Sequence, residues 1–544
     1  MKRITCLFIS AFLMTGGFAY SQGEMDAFKM SQNELNGTAR YLGMSGAFGA
    51  LGGDISSMST NPAGLGIYRS SEVVTTISLS SIKTNTDWNG SKADGSKTKF
   101  NFDNIAYVGY FPTGNDEGIV GWNIGLSYNR IKDFNRSYRM NGAQAYSVAD
   151  YAADLSYGIK EGDLIYQKDS YDPYNNQNLP WLSILGYEAG FFDPYKAGGD
   201  EYHSAFGKQG ANGWEPYSPQ NVNLQVNEKG SIGQYNFSFA TNISDRFFLG
   251  ATVAVTDMDY SIRTEYSEDF STDSWLALNN GLSTTGTGYA VNVGAILRPT
   301  DFLRVGVAYN SPTWYKMTDY FHGTAQTMIA NIKWDPVSTP DYRAGDYHLR
   351  TPDRWIFSAA GVGKNFLISA DYELTNYKRM RVYDLDGYDY KATDDIKADF
   401  GMSGTLKVGA EYKVTPQFSV RAGTLWRTSP MKSHLKDGIP PLNEKGEYYT
   451  QAVGVVGTIP SYTVDKGTNS YSFGLGYRFT PNFYADLACV YRIYKEDVYA
   501  FPSTYQAGIS NINELLDKGI VVKSDPASMK TKTTQVALTL GYKF

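Results

Sequence analysis

The chain has 544 residues, with 49 basic and 55 acidic side chains and a net charge of −6; its pI is near 5.5, a balance that argues against a nucleic-acid partner. Aromatics make up 15% of the residues and charged side chains 19%, yet the mean hydropathy is only −0.36. Past the N-terminal leader no run approaches the roughly 18 to 20 apolar residues of a spanning helix, which excludes a helical membrane protein. A transmembrane barrel passes this test, because alternating strands average out as hydrophilic.

Lys2 and Arg3 precede an apolar run from Leu7 to Leu13, followed by Gly16, Gly17 and Ala19-Tyr20-Ser21. This order of charge, apolar stretch and small residues predicts a secretory signal peptide over 1–21, cleaved after Ser21. Cys6 leaves with it, and Cys489 is then the only cysteine, so neither an intramolecular disulfide nor a cysteine metal site is expected. His203, His322, His348 and His434 are scattered without ligand spacing. No metal, no cofactor and no catalytic residue is expected, and the chain does not read as an enzyme.

Residues 39–66 (ARYLGMSGAFGALGGDISSMSTNPAGLG) are rich in Gly, Ala and Ser. They lack both the alternation of a strand and the broad apolar stripe of a helix. Asn61-Pro62 favours an extended residue followed by a turn. A small-residue segment placed before many alternating strands predicts a plug, over 22–70, inside a barrel over 71–544.

About fourteen alternating segments follow, near 72–82, 104–111, 121–130, 233–242, 247–260, 286–298, 302–310, 354–363, 366–377, 404–413, 418–428, 470–479, 483–494 and 532–544. Each is near the roughly 9 to 11 residues that cross a bilayer when tilted. In the third, Trp122, Ile124, Leu126 and Tyr128 alternate with Asn123, Gly125, Ser127 and Asn129. After a first long gap the connections alternate short and long, the longest running over 131–231. Short turns on one rim and long loops on the other predict a 14-stranded antiparallel transmembrane barrel with the long loops extracellular. Trp122, Phe247, Phe248, Phe302, Phe366, Phe418 and Phe483 each open a segment after a short turn, and Phe544 ends the chain. Set on one rim they form an interfacial aromatic girdle.

If the apolar set faces lipid, then Asp371, Glu373, Lys407, Glu411, Arg421, Asp486 and Arg492 point inward. Both signs occur on neighbouring strands, so cross-strand ion pairs are expected, with Arg40 and Asp54 as partners from inside.

Ala39-Arg40-x-x-Gly43, Gly46-Ala47, Asp54 and Asn61-Pro62-Ala63-Gly64-Leu65 resemble the N-terminal hatch of the FadL/TodX outer-membrane transport family. Ser369-Ala-Asp-Tyr-Glu-Leu-Thr, Lys407-Val-Gly-Ala-Glu-Tyr, Ser419-Val-Arg-Ala-Gly and the terminal Tyr-Lys-Phe resemble its strands. The resemblance, to a Bacteroidetes-like member, covers the hatch and the C-terminal half; the long loop departs from it. It implies a bacterial outer-membrane channel for hydrophobic compounds such as long-chain fatty acids or aromatic lipophiles. Such a channel works by passive diffusion, and a hatch controls a lateral opening in the wall. Asn61, Pro62 and Ala63 match the hatch motif beside that opening, and Gly125 is the candidate wall kink, since Gly weakens a strand locally. The expected partners are a hydrophobic small molecule or fatty acid, outer-membrane lipid and the barrel assembly machinery. The alternative reading is an outer-membrane scaffold barrel that hands on secreted surface proteins.

One part of the long loop is apolar: Leu179 to Tyr187, then Phe191 and Phe192. Pro180 fits a first helical turn and Gly190 a stop, predicting a helix over 180–189. Trp181, Leu182, Ile184, Leu185, Phe191 and Phe192 are candidate substrate-binding residues, as the lining of an extracellular docking groove. The other reading of this stretch is a cap packed on neighbouring loops.

Overall fold

The computed structural model describes residues 23–544 apart from 168, 177, 212, 272 and 344. The expected leader, residues 1–21, lies outside the described residues. Fourteen strands form the wall: β1 Glu72–Trp88, β2 Ser91–Pro112, β3 Ile119–Asp133, β4 Asn221–Ile243, β5 Phe247–Phe270, β6 Ser274–Leu297, β7 Leu303–Asn310, β8 Arg354–Val362, β9 Phe366–Asn376, β10 Met402–Lys413, β11 Phe418–Arg427, β12 Tyr462–Arg478, β13 Phe483–Tyr499 and β14 Ala527–Lys543. Each pairs antiparallel with its neighbour, and β1 pairs with both β2 and β14, which closes the ring. Every expected segment falls on one of these strands. Closure leaves no sheet edge, which is what allows strands to cross lipid at all.

The lower half of the wall shows the expected alternation. Val536, Leu538, Leu540 and Tyr542 of β14 are exposed, while Gln535, Ala537 and Thr539 between them are buried. Phe302, Phe366, Phe483 and Phe544 are exposed at the short-turn rim, and Trp122 stacks on Phe111 at 4.1 Å. Phe248 departs from the girdle: it points inward, 3% exposed, and packs with Ala63 and Ile296. Two adjacent residues of one strand cannot face the same side.

The strands are longer than expected. β4, β5 and β6 run 23, 24 and 24 residues, far beyond the roughly 25 to 30 Å that a bilayer requires. The stretches expected as a long gap after residue 82 and a loop over 261–285 are instead hairpins. Asn89-Gly90, both with positive φ, turn β1 into β2, and Phe270 opposes Ser274 at the next tip. Outside the membrane the chemistry of the two faces is exchanged. Along β5 the outward residues Leu249, Val253 and Val255 are apolar, but Met258, Tyr260, Ile262 and Tyr266 are the buried apolar set above them. β1 makes the same change from Val73, Ile77 and Leu79 to Ile82 and Trp88. The pleat keeps its phase while lipid on the outside gives way to water. The inner faces of these strand tops join the loop segments in one apolar core.

A closed barrel with every ladder paired should resist SDS until boiled. Unheated protein is expected to migrate faster than boiled protein, with strand-dominated circular dichroism. Extraction into buffer without detergent would contradict this architecture.

Candidate functional site

Residues 23–71 lie against the inward-facing side chains of the wall. Their local structure follows from caps. The Thr38 hydroxyl accepts from Tyr41 N at 3.1 Å, starting the short helix Ala39–Gly43, and donates to the Asp54 carboxylate at 2.8 Å. Asn61 accepts from Ala63 N at 3.1 Å and so caps the 3₁₀ turn Pro62–Ile67. Its amide donates to Gly49 O at 2.6 Å and to Ala295 O of β6 at 3.3 Å. Pro62 takes the position where a missing N–H costs nothing.

The wall makes room with glycine. A Cβ on Gly250 would meet the Pro62 backbone, on Gly294 the Asn61 side chain, on Gly306 the Gly49 backbone and on Gly423 the Met44 backbone. Such inward glycines were visible in the alternation, but only the segment packed against them shows why nothing larger fits. Gly125 belongs to this set, since its Cβ would meet Met58 and Leu65. It is not a wall kink. Its pairing with Val108 and Ser238 is in register, and the ladder of β3 with β4 shifts instead at two other places, between Ile119 and Gly121 and between Arg130 and Lys132.

Charges fasten the segment to the wall. Arg421 bridges Glu411 and Asp486, both at 2.6 Å. Arg40 reaches the same Glu411 at 3.0 Å and donates to Gly53 O at 3.0 Å. Lys407 pairs with Glu373 at 2.9 Å, Asp371 accepts from Gly49 N at 2.9 Å, and Arg492 meets Glu34 at 3.3 Å. Asp54 does not join them. It caps the segment's own turn by accepting from Ser56 N at 2.9 Å and from the Thr38 hydroxyl.

Above this floor lies a cavity of about 320 Å³. Ser56, Ser59 and Thr60 form its base, the helix Glu24–Ser31 one side, and Val453 to Tyr462 of the β11–β12 loop its roof. Phe28, Ile131, Ile262, Leu282 and Ile459 supply apolar lining, while Lys132, Arg136, Glu228, Arg427 and Glu496 supply charge. Arg136 is paired with Glu228 at 2.7 Å and with Glu496. Lys132 donates to Gln32 at 3.1 Å and sits over the Phe134 ring. The sequence reading missed Lys132 because the bulge at Ile131 ends the alternation just before it.

Trp181, Leu182, Ile184, Leu185, Phe191 and Phe192 are at most 4% exposed, and none lines the cavity. Trp181 packs edge-on to Tyr174 at 5.2 Å and Phe321 at 5.8 Å, and Phe192 edge-on to Tyr202 at 5.2 Å. The helix Trp181–Glu188 is apolar nearly all round, which is the composition of a buried helix and not of a groove wall. The expected docking groove is thus the interior of the cap, and Gly190 at φ 72 ends the helix.

Where the helix Glu24–Ser31 meets the loop helix Lys391–Asp399, Phe28 packs on Phe400 at 5.2 Å. Burial, then Asp395 and Asp399, raise the Glu24 carboxyl well above its usual range. Burial pushes Asp395 up to about 6, with Lys391 opposing. Raised carboxyls add stability that is full below their unfolded pKa and lost as pH rises through the folded value. Amide exchange in 24–31, corrected for its intrinsic rate, should be slower at about pH 5 than at about pH 7.5. Equal protection would refute the coupling.

Arg421→Ala leaves Glu411 and Asp486 buried with no strand-borne cation and should cost about 3 to 5 kcal/mol. Arg40→Ala leaves Glu411 paired with Arg421 and should cost less. Urea unfolding in detergent micelles ranks the two.

Compared with known proteins, residues 234–443 match the family model described as outer membrane protein transport protein (OMPP1/FadL/TodX). The 47 kDa outer membrane protein of Pasteurella multocida is 22% identical over 235 residues, 42% of this chain and 49% of that protein. Outer membrane protein P1 of Haemophilus influenzae is 22% identical over 205 residues, 38% of each chain. The chain therefore spans about half, or less, of the length of the curated relatives it matches. A solved FadL homologue from Pseudomonas aeruginosa aligns over 94% of this chain and 99% of its own, at 14% identity and a TM-score of 0.49. The family match over residues 234–443 and the named relatives agree with the closed wall and its aromatic rim: this is an outer-membrane β-barrel that resembles the FadL/TodX transport family.

Proposed function

We propose that the protein is a passive channel for hydrophobic compounds, of the size of a long-chain fatty acid or an aromatic hydrocarbon. An apolar solute gains nothing from entering a water-filled pore; it needs a partly dry pocket and an exit that avoids the aqueous periplasm. The observation that carries this reading is the cavity enclosed between residues 23–60 and the loop roof, with an apolar side that continues to Ile131. Ile131 is also where the β3–β4 ladder shifts register. The segment covers that irregularity: Glu34 N donates to Ile131 O at 3.1 Å, and the Asn36 amide donates to Arg130 O at 2.6 Å. In this reading residues 22–70 act as a hatch, and withdrawal of 34–36 opens the wall beside Ile131 to the bilayer. The family description, outer-membrane transport, supports the same role.

Two measurements test it. Ile262→Asp with Leu282→Asp, placed on the apolar side of the cavity, should slow uptake of radiolabelled oleate into proteoliposomes at least about tenfold, since each puts an unpaired charge in an apolar lining. Deleting 24–66 should raise single-channel conductance to hydrophilic ions. Oleate entry no faster than in protein-free vesicles would refute transport, and unchanged conductance after deletion would refute the hatch.

A further inference from the structure

The outer wall carries an arrangement that folding alone disfavours. β14 runs between β1 and β13. Lys83 of β1 stands directly opposite Lys532 of β14, and Lys530 directly opposite Lys495 of β13. Side chains so placed lie about 4.5 to 5.5 Å apart at Cβ, where like charges destabilise a sheet. Lys83, Lys495 and Lys530 are exposed and Lys532 is half-buried. Among the described residues none of the four makes an ion pair, whereas Lys466 on neighbouring β12 is paired with Asp497, and Lys316 elsewhere on the strand tops with Asp346. Asp94, on β2 across from Asn85, is held by the Asn85 amide.

The height of these lysines is the second observation. Lys83, Lys495 and Lys532 each stand four residues above an exposed apolar residue on the same face: Leu79, Tyr491 and Val536 respectively. That separation is about 13 Å along a strand. The cations therefore sit at the long-loop edge of the lipid-facing band, where headgroups of the outer leaflet lie.

We propose that Lys83, Lys495, Lys530 and Lys532 bind the phosphorylated sugar headgroup of an outer-leaflet glycolipid, whose acyl chains lie on the apolar wall below. An anionic phosphate between two opposed lysine pairs removes the repulsion that the bare sheet carries. The site rests on the outer-membrane location and is independent of the transport reading.

The test uses the full chain purified in detergent and incubated with diphosphoryl lipid A or with phosphatidylethanolamine, bound lipid being counted by native mass spectrometry. The wild type should retain diphosphoryl lipid A in preference. Changing all four lysines to glutamine should lower retention at least about tenfold, and changing them to arginine should preserve it. Without lipid A the glutamine variant should melt at a higher temperature than the wild type, since the like-charge pairs are gone. Lys530→Gln with Lys532→Gln, which breaks both pairs, serves if the fourfold variant fails to assemble. Retention of lipid A by the glutamine variants at the wild-type level, or equal retention of phosphatidylethanolamine by the wild type, would overturn the site.

Discussion

Hydrocarbon accepts no hydrogen bond, and the rest of this structure follows from that. Every backbone N–H and C=O of the membrane-crossing region has to find a partner in the next strand, so the sheet has to close. Closure fixes the pleat, and the pleat sends alternate residues to lipid and to the lumen. The lumen then receives Asp371, Glu373, Lys407, Glu411, Arg421 and Asp486. Buried charges of this kind persist only when paired or hydrogen-bonded; Arg40 of the N-terminal segment joins the Glu411–Arg421–Asp486 network, and Gly49 N donates to Asp371.

The segment meets the wall with polar and apolar groups together. Ala39 N donates to Thr539 at 2.7 Å and Ser45 meets Ser472 at 2.8 Å, while Leu42 packs with Ala488 and Val490 of β13, and Met58 and Leu65 with Val108 and Ala240. The cap rests on apolar packing. Its aromatic side chains, Trp88, Tyr151, Phe206 and Phe501 among them, are fully buried, and the strand tops continue the barrel outward to carry them.

The sequence by itself determined the barrel. Alternation over fourteen stretches, the order of short and long connections and the aromatics after the short turns are local consequences of lipid on one face, and each is readable within about ten residues. It also determined that both signs of charge face inward, because side-chain period fixes which residues share a face. The helix at Trp181 was legible from its Pro and Gly punctuation.

Only the tertiary structure decided the rest. The strand tops were hidden because the apolar set changes parity where lipid gives way to water: Val255 faces out and Met258 faces in on one unbroken strand. A pattern read as alternation stops at that point although the backbone does not. Whether Gly125 bends a strand or admits Met58 depends on a segment about sixty residues earlier in the chain. Whether Asp54 pairs with the wall or caps its own turn depends on the fold that brings the Thr38 hydroxyl and Ser56 N to it. Trp181 and its neighbours required the cap around them before their burial was decided, since an apolar helix face has the same sequence whether it lines a groove or fills a core.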